Sequence, residues 1–245
     1  MKMKAYKVSF KSKVKTRSST VGFYLPVVFS SLIAAVMLAA SLLAASTLAG
    51  CFGSDKVPRS RYYGLPIHER AKPSTSEGAL SIVLRVEEFD VAPGYDHLRL
   101  VYRVSPYEIR HYGYRQWLTK PGRLMADAMR LYLDVSGRFA TVTEQPRPLP
   151  DYVLSGKVET LEEVDNKKKK QWYARLVITL SLVRVSSGEQ VWSKRFDKMK
   201  KVKKRRPRYV IAGLTDLYSE VARETLGRIT EIVKQSAKSG GAQKL

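Results

Sequence analysis

The chain reads as an α/β protein of the α+β type: a single domain with a mostly antiparallel sheet and two main helices packed on it. Three observations predict this. Several segments rich in β-forming residues alternate apolar and polar side chains. Two other segments repeat apolar residues every three or four positions, the spacing of one helix face. The longest alternating stretches also follow one another through short polar turns, the pattern of an antiparallel hairpin series.

The N-terminus is of a different kind. Met1 to Gly22 is basic and Phe23 to Ala49 is almost wholly apolar. That order is the order of an export signal whose positive end stays in the cytoplasm. The apolar run is longer than the ~7–15 residues of a typical signal core. It reaches the ~20 residues that span a bilayer, so an uncleaved anchor stands as the alternative. The run ends at Leu48-Ala49-Gly50-Cys51, on the one cysteine of the chain. Ala49 and Gly50 are small enough for a narrow peptidase cleft, Leu48 is an apolar anchor, and Cys51 brings a nucleophilic thiol. All four positions resemble the bacterial lipoprotein signal. The resemblance implies cleavage between Gly50 and Cys51, with a diacylglycerol and an N-acyl chain on Cys51. It further implies a lipid-anchored location facing the periplasm. Phe52 rather than Asp follows the cysteine, which favours the outer membrane over the inner one.

The expected organisation is therefore a signal peptide over 1–50, an acylated N-terminus and tether over 51–79, an α/β domain over 80–236 and a flexible tail over 237–245. Pro58, Pro66 and Pro73 interrupt the tether, which has no helical or strand period. Its adjacent Tyr62 and Tyr63 need somewhere to place their rings and are expected to dock on the domain. Leu80, Ile82, Leu84 and Val86 share one face of a first strand, and Val91 to Gly94 is a turn. A second strand runs from Leu98 to Val104, and a third from Tyr107 to Tyr112. Tyr95, Tyr102, Tyr107, Tyr112, Tyr114 and Trp117 gather in this region. Core and cross-strand packing is the favoured reading of them, and a lipid or partner surface the other.

Lys120-Pro121-Gly122 opens a helix whose stripe is Leu124, Ala128, Leu131 and Val135, and Ser136-Gly137 ends it. Phe139 to Thr143 is a short strand, and the proline-rich 145–150 connects onward. Tyr152 to Val164 is a strand, Asn166 to Lys170 a charged turn, and Trp172 to Val185 the best strand of the chain. In it Trp172, Ala174, Leu176, Ile178, Leu180 and Leu182 fall near one face. Gln190 to Phe196 returns after a tight turn. A basic loop follows, then a long amphipathic helix marked by Ile211, Leu214, Leu217, Tyr218, Val221, Ile229 and Ile232. From Ser239 the chain is expected to fray.

The net charge is +22, and it is not all in the leader. Seven of the 44 basic residues (Lys2, Lys4, Lys7, Lys11, Lys13, Lys15, Arg17) precede the apolar run, which leaves 37 against 22 acids. Such a balance in the cytoplasm suggests nucleic acid; the export signal argues against it, so no nucleic-acid partner is expected. The remaining anions are phospholipid headgroups, lipopolysaccharide phosphates or an acidic protein face. Lys198, Lys200, Lys201, Lys203, Lys204, Arg205, Arg206 and Arg208 are the candidate anion or lipid contacts, with the lysine turn at 167–170 as a second cluster. One cysteine excludes an intramolecular disulfide framework. His68, His97 and His111 lack a His or Cys partner at metal spacing, so no metal site is expected. With no G-x-S-x-G elbow and no His beside a candidate nucleophile, the chain does not read as an enzyme.

One ordered set of residues resembles a known family. It comprises Tyr62-Tyr63-x-Leu65, Val101-Tyr-Arg followed by Pro106-Tyr-Glu-Ile-Arg-His-Tyr-Gly-Tyr-Arg-Gln-Trp117, and Pro121 before a helix. Leu133-x-x-Ser-Gly-Arg-Phe139, Asp151-Tyr-Val-Leu-x-Gly156 and the strand from Trp192 to Phe196 complete it. Together they are similar to the ABC-type transport auxiliary lipoproteins of the paraquat-inducible protein C type, over roughly Tyr62 to Val233. The resemblance implies helices on an antiparallel sheet. It also implies partners: a mammalian-cell-entry-type substrate-binding protein with an inner-membrane permease and an ATPase, moving lipids between membranes. A homo-oligomer is compatible with it. It supplies no catalytic residues. The basic segment at 198–208 departs from the family pattern, where a shorter and less charged connection is expected. A stand-alone binder of anionic envelope lipid or lipopolysaccharide, working through its basic loops, is the alternative.

Overall fold

In the computed structural model, which describes residues 30–41, 58–70, 79–166, 168 and 170–242, the sheet is built around one long strand. β7 (Tyr152–Asn166) is 15 residues of mostly β-forming side chains. One of its edges pairs antiparallel with β8 (Gln171–Arg184) from Tyr152↔Arg184 to Asn166↔Gln171. β8 pairs in turn with β9 (Glu189–Val202). The other edge of β7 takes three short parallel partners in succession. β2 (Leu80–Val86) lies on Tyr152–Leu154, β3 (Asp90–Val91) on Lys157–Val158, and β4 (Arg99–Ser105) on Glu162–Val164. Beyond β2 lies β6 (Phe139–Thr143), parallel to it. Beyond β4 lie its hairpin partner β5 (Glu108–Trp117) and then β1 (Arg61–Tyr63), parallel to β5. The nine-stranded sheet is mostly antiparallel by length of ladder and is not closed.

Helices α2 (Pro121–Val135) and α3 (Pro207–Ala242) cover one face. Ala174, Leu176, Ile178, Leu180 and Leu182 of β8 are each fully buried under them, as the alternation predicts. Burying each of the four larger side chains is worth about 1.5–3 kcal/mol. The bulge in this ladder falls in β7, between Val158 and Thr160. The α3 stripe is also as predicted, with Ile211, Leu214, Leu217, Tyr218, Val221, Ile229 and Ile232 all buried. Tyr218 donates its hydroxyl hydrogen to the Met125 carbonyl of α2 at 2.7 Å and locks the two helices together. On the opposite face the sheet is polar: Arg195 and Thr179 bond Glu159, and Ser181 meets Ser193.

Five expectations shift. The buried face of α2 centres on Met125, Met129 and Leu133, which lie four residues apart. Val135 is exposed, because α3 and the sheet press on adjacent sides of the helix. Its ends are as read, with Pro121 in the first turn and Gly137 at φ 63° past the last one. β5 runs on to Trp117, because β1 and Arg99 pair with its second half. The folded unit takes in Pro58 onward: β1 belongs to the sheet, and Leu65 and Ile67, the latter opening a 3-10 turn at Ile67–Arg70, lie in the core. Finally, the basic run is not one loop. β9 extends to Val202 and α3 begins at Pro207, so only residues 203–206 connect them. α3 continues as helix to Ala242, past the Ser239 at which fraying is expected.

Residues 1–57 form a separate unit, of which helix α1 at 30–41 is described, with exposed side chains. Among the described residues no helix is long and apolar enough to cross a membrane. Leu48, Ala49, Gly50 and Cys51 lie outside the described residues.

Candidate functional site

The second half of β7 carries three acids that the fold buries. Glu162 and Glu163 are each 1 % exposed and Asp165 3 %. Neighbouring residues on a strand point to opposite faces, so Glu162 stands on one side and Glu163 with Asp165 on the other. A buried carboxylate needs partners or it loses its charge. Glu162 has them: Tyr95 Oη donates to it at 2.6 Å and Arg103 Nε at 2.7 Å. Burial first, and then the Glu162 carboxylate, push the Tyr95 hydroxyl up, while the hydrogen bond to Glu162 holds the Arg103 guanidinium charged.

The helix-side pair is less complete. Tyr112 Oη donates to Glu163 Oε2 at 2.6 Å, while Oε1 receives no hydrogen bond. Arg205 spans both acids, with Nη2 2.9 Å from Asp165 Oδ2 and Nε 3.9 Å from Glu163 Oε1. The start of α3 lies beside them: Pro207 and Val210 line a small cavity with Glu163. Burial raises the Glu163 carboxyl above its ordinary value, against the opposing pull of Tyr112 and Arg205. The sign of the consequence follows. A raised folded-state value favours the protonated form, so Glu163 contributes stability below about pH 4.5, its ordinary value, that is lost as pH rises through the folded value. Glu163→Gln keeps an acceptor for Tyr112 and removes the titration. Its melting temperature should therefore gain on the parent as pH rises through that window and run parallel to it above. Parallel curves throughout would show that Glu163 ionises in the fold without cost.

The eight predicted basic residues divide by these contacts. Lys198 and Lys200 lie on β9 and reach across to α3, pairing with Glu220 at 3.2 Å and Asp216 at 2.8 Å. Lys194 and Glu224 continue the same ladder. Asp216, Glu220 and Glu224 recur every four residues, one helix face meeting alternate residues of an edge strand. Such partly exposed pairs are worth about 0–1 kcal/mol each. Arg205 is taken by the buried acids. Arg208 lies 4.8 Å over the Tyr209 ring and bonds its hydroxyl. Lys201, Lys203, Lys204 and Arg206 are exposed and make no ion pair among the described residues. Sequence reasoning missed these three buried acids, of which Glu163 and Asp165 hold the basic turn through Arg205. Their signal was the close grouping of Glu162, Glu163 and Asp165 near the end of one strand, two of them at the spacing of a shared face.

Two further features lie elsewhere. The expected aromatic group is mostly packing: Tyr95 and Trp117 are buried, and the Tyr102 and Tyr112 rings meet tilted at 4.8 Å. Tyr114 is exposed, and Tyr107, at 99 % exposure, is the most exposed of the group. At the other end of the sheet an open trough of about 920 Å³ runs between the β8–β9 turn and the last turns of α3, crossed by Arg184 bonded to Ser236 and Glu189. Among the described residues no group of His, Cys, Asp and Glu is placed to hold a metal ion. His97 and His111 meet edge to face at 4.3 Å.

This architecture, a broad open sheet with two helices on one face, defines a class of α+β domain found in solved bacterial proteins. Protein XCC0632 from Xanthomonas campestris, of family DUF330, is 21% identical, with 73% of this chain and 99% of that one aligned at a TM-score of 0.62. A second solved structure, of an uncharacterized protein, is 14% identical over 70% of this chain and 99% of its own, at a TM-score of 0.58. Comparison with curated proteins returns no match. Residues 63–225 match the model of the family described as ABC-type transport auxiliary lipoprotein component, and the chain belongs to that family. The match takes in β2 to β9, α2 and the first half of α3, the elements that make the core.

Proposed function

We propose that the protein is a membrane-anchored accessory lipoprotein of an ABC-type lipid transport system in the bacterial envelope. In this reading it docks on a complex of a mammalian-cell-entry-type substrate-binding protein, an inner-membrane permease and an ATPase. The observation that carries it is the family match across β2 to β9, α2 and the first half of α3. Acyl chains on Cys51 tether the domain to the periplasmic side of the outer membrane, and the domain acts by binding, without turnover. The charged residues of its helix-bearing face are largely spent on internal pairs, which suits a scaffold rather than a reaction centre.

The test is capture of the full-length chain, tagged at its C-terminus, from detergent-solubilised native membranes. The ATPase, the permease and the mammalian-cell-entry-type protein should co-purify in fixed ratio. Recovery of the chain without any of the three, from membranes in which mass spectrometry detects them, would overturn the proposal.

A further inference from the structure

The sheet topology brings three turns that are far apart in sequence to one end of the domain. Asp165 pairs with Trp172 and Trp172 with Val202, so the β7–β8 turn and the β9–α3 turn lie level with each other. Arg205 joins them by its contact to Asp165. β4 runs parallel to β7 with Arg103 opposite Val164, so the tip of the β4–β5 hairpin reaches the same level. That tip carries Tyr107, the most exposed large hydrophobic side chain among the described residues. The other two turns carry Lys168, Lys170, Lys203, Lys204 and Arg206, all exposed. The acids nearby are already engaged: Glu108 bonds Arg110, Glu163 bonds Tyr112, and Asp165 faces Arg205.

The chain also enters the domain here. Pro58 lines one cleft of about 430 Å³ with Arg205 and Pro207. β1 runs parallel to β5, away from the hairpin tip, so the backbone arrives from the side of the basic turns. Six residues lie between Cys51 and Pro58, and the seven steps from one to the other reach about 25 Å at full extension. The 36 residues of α3 measure about 54 Å. A leash shorter than the domain holds the end where it enters close to whatever carries the anchor.

We infer that this three-turn end is a membrane-docking face, which seats the domain on the anionic phospholipid surface of the membrane that holds its tether. The lysines and Arg206 supply long-range attraction to phosphate headgroups. Tyr107 supplies an amphipathic ring of the kind that settles at the headgroup level. Arg205 and the buried acids below it hold the basic turn in place rather than touching lipid. The inference rests on the lipoprotein reading for the tether, but the charge and the topology stand apart from it.

The experiment uses the full chain extracted from its own membranes. It is reconstituted into vesicles of phosphatidylcholine alone, or of equal parts phosphatidylcholine and phosphatidylglycerol, and its lysines are acetylated and read by mass spectrometry. With phosphatidylglycerol, Lys168, Lys170, Lys203 and Lys204 should each label about fivefold more slowly. The difference should vanish at about 1 M salt, where the screening length falls to about 3 Å. Lys234 and Lys238, near the far end of α3, should label alike in both. The triple variant Lys203→Gln, Lys204→Gln, Arg206→Gln loses no ion pair of the described fold, and in it the protection of Lys168 and Lys170 should fall severalfold. Equal labelling in the two lipids overturns the inference. So does protection in native membranes that appears in neither vesicle, because an acidic protein then covers this face. The N-terminal mass of the same samples reads the anchor separately: an unacylated chain that is still protected keeps the docking face and removes the tether.

Discussion

Gly122→Ala should destabilise the domain by about 3 kcal/mol, the upper end of ordinary overpacking. For a domain of this size that lowers the melting temperature by roughly 10 °C. On local grounds the opposite is expected, since alanine is favoured over glycine in a helix by ~1 kcal/mol. The geometry decides between them. A Cβ on Gly122 would lie 2.2 Å from the carbonyl oxygen of Phe89 and 3.0 Å from Val91 Cγ2. The first is backbone, tied to β3 and through it to β7, and it cannot swing aside as a side chain can. Gly156 meets the same residue from the sheet: its Cβ would lie 2.8 Å from Phe89 Cγ and 2.9 Å from Leu180 Cδ2. Phe89 is thus held between two glycines, one opening α2 and one on β7. Gly156→Ala should cost less, about 1–3 kcal/mol, because the Leu180 methyl can move. Thermal melts of both variants check this. A neutral or stabilising Gly122→Ala would mean that α2 does not lie this close to the strand.

What was legible in the sequence was what local periodicity carries. The fully buried face of β8 and the apolar stripe of α3 follow from spacing alone, since each buries one side against the other. Both ends of α2 follow from Pro121 and Gly137. Non-local pairing was not legible. Nothing in Leu80–Val86, Asp90–Val91 or Arg99–Ser105 says that all three lie parallel along one edge of β7. Arg61-Tyr62-Tyr63 is too short and too polar to read as a strand, and its place depends on β5. By its apolar alternation β9 ends at Phe196, because Lys198 and Lys200 interrupt the pattern between Phe196 and Val202. They stand on the inward face only because α3 brings Glu220 and Asp216 over them. The basic turn was found by its charge, but the reason it holds its place, Arg205 on two buried acids, needed the fold.

Cys51→Ala should move the protein from one membrane to the other, the largest functional effect expected of any single change. The parent's mature N-terminus, released from membranes, should be an acylated Cys51. Each buried CH₂ of an acyl chain is worth about 0.8 kcal/mol, so one chain binds reversibly and more than one holds firmly. Alanine has no thiol to alkylate, and the signal it leaves should not be processed. The variant should keep Met1 and remain in the inner membrane through Phe23–Ala49, a run long enough to span it. Mass of the N-terminus and fractionation of the two membranes read these outcomes independently. A parent chain that itself begins at Met1 without lipid would sink the lipobox reading of Leu48-Ala49-Gly50-Cys51. The family would still stand, because residues 63–225 carry it without the leader. What would change is geometry: with the basic leader held in the cytoplasm, the domain would then hang from an inner-membrane helix on the periplasmic side.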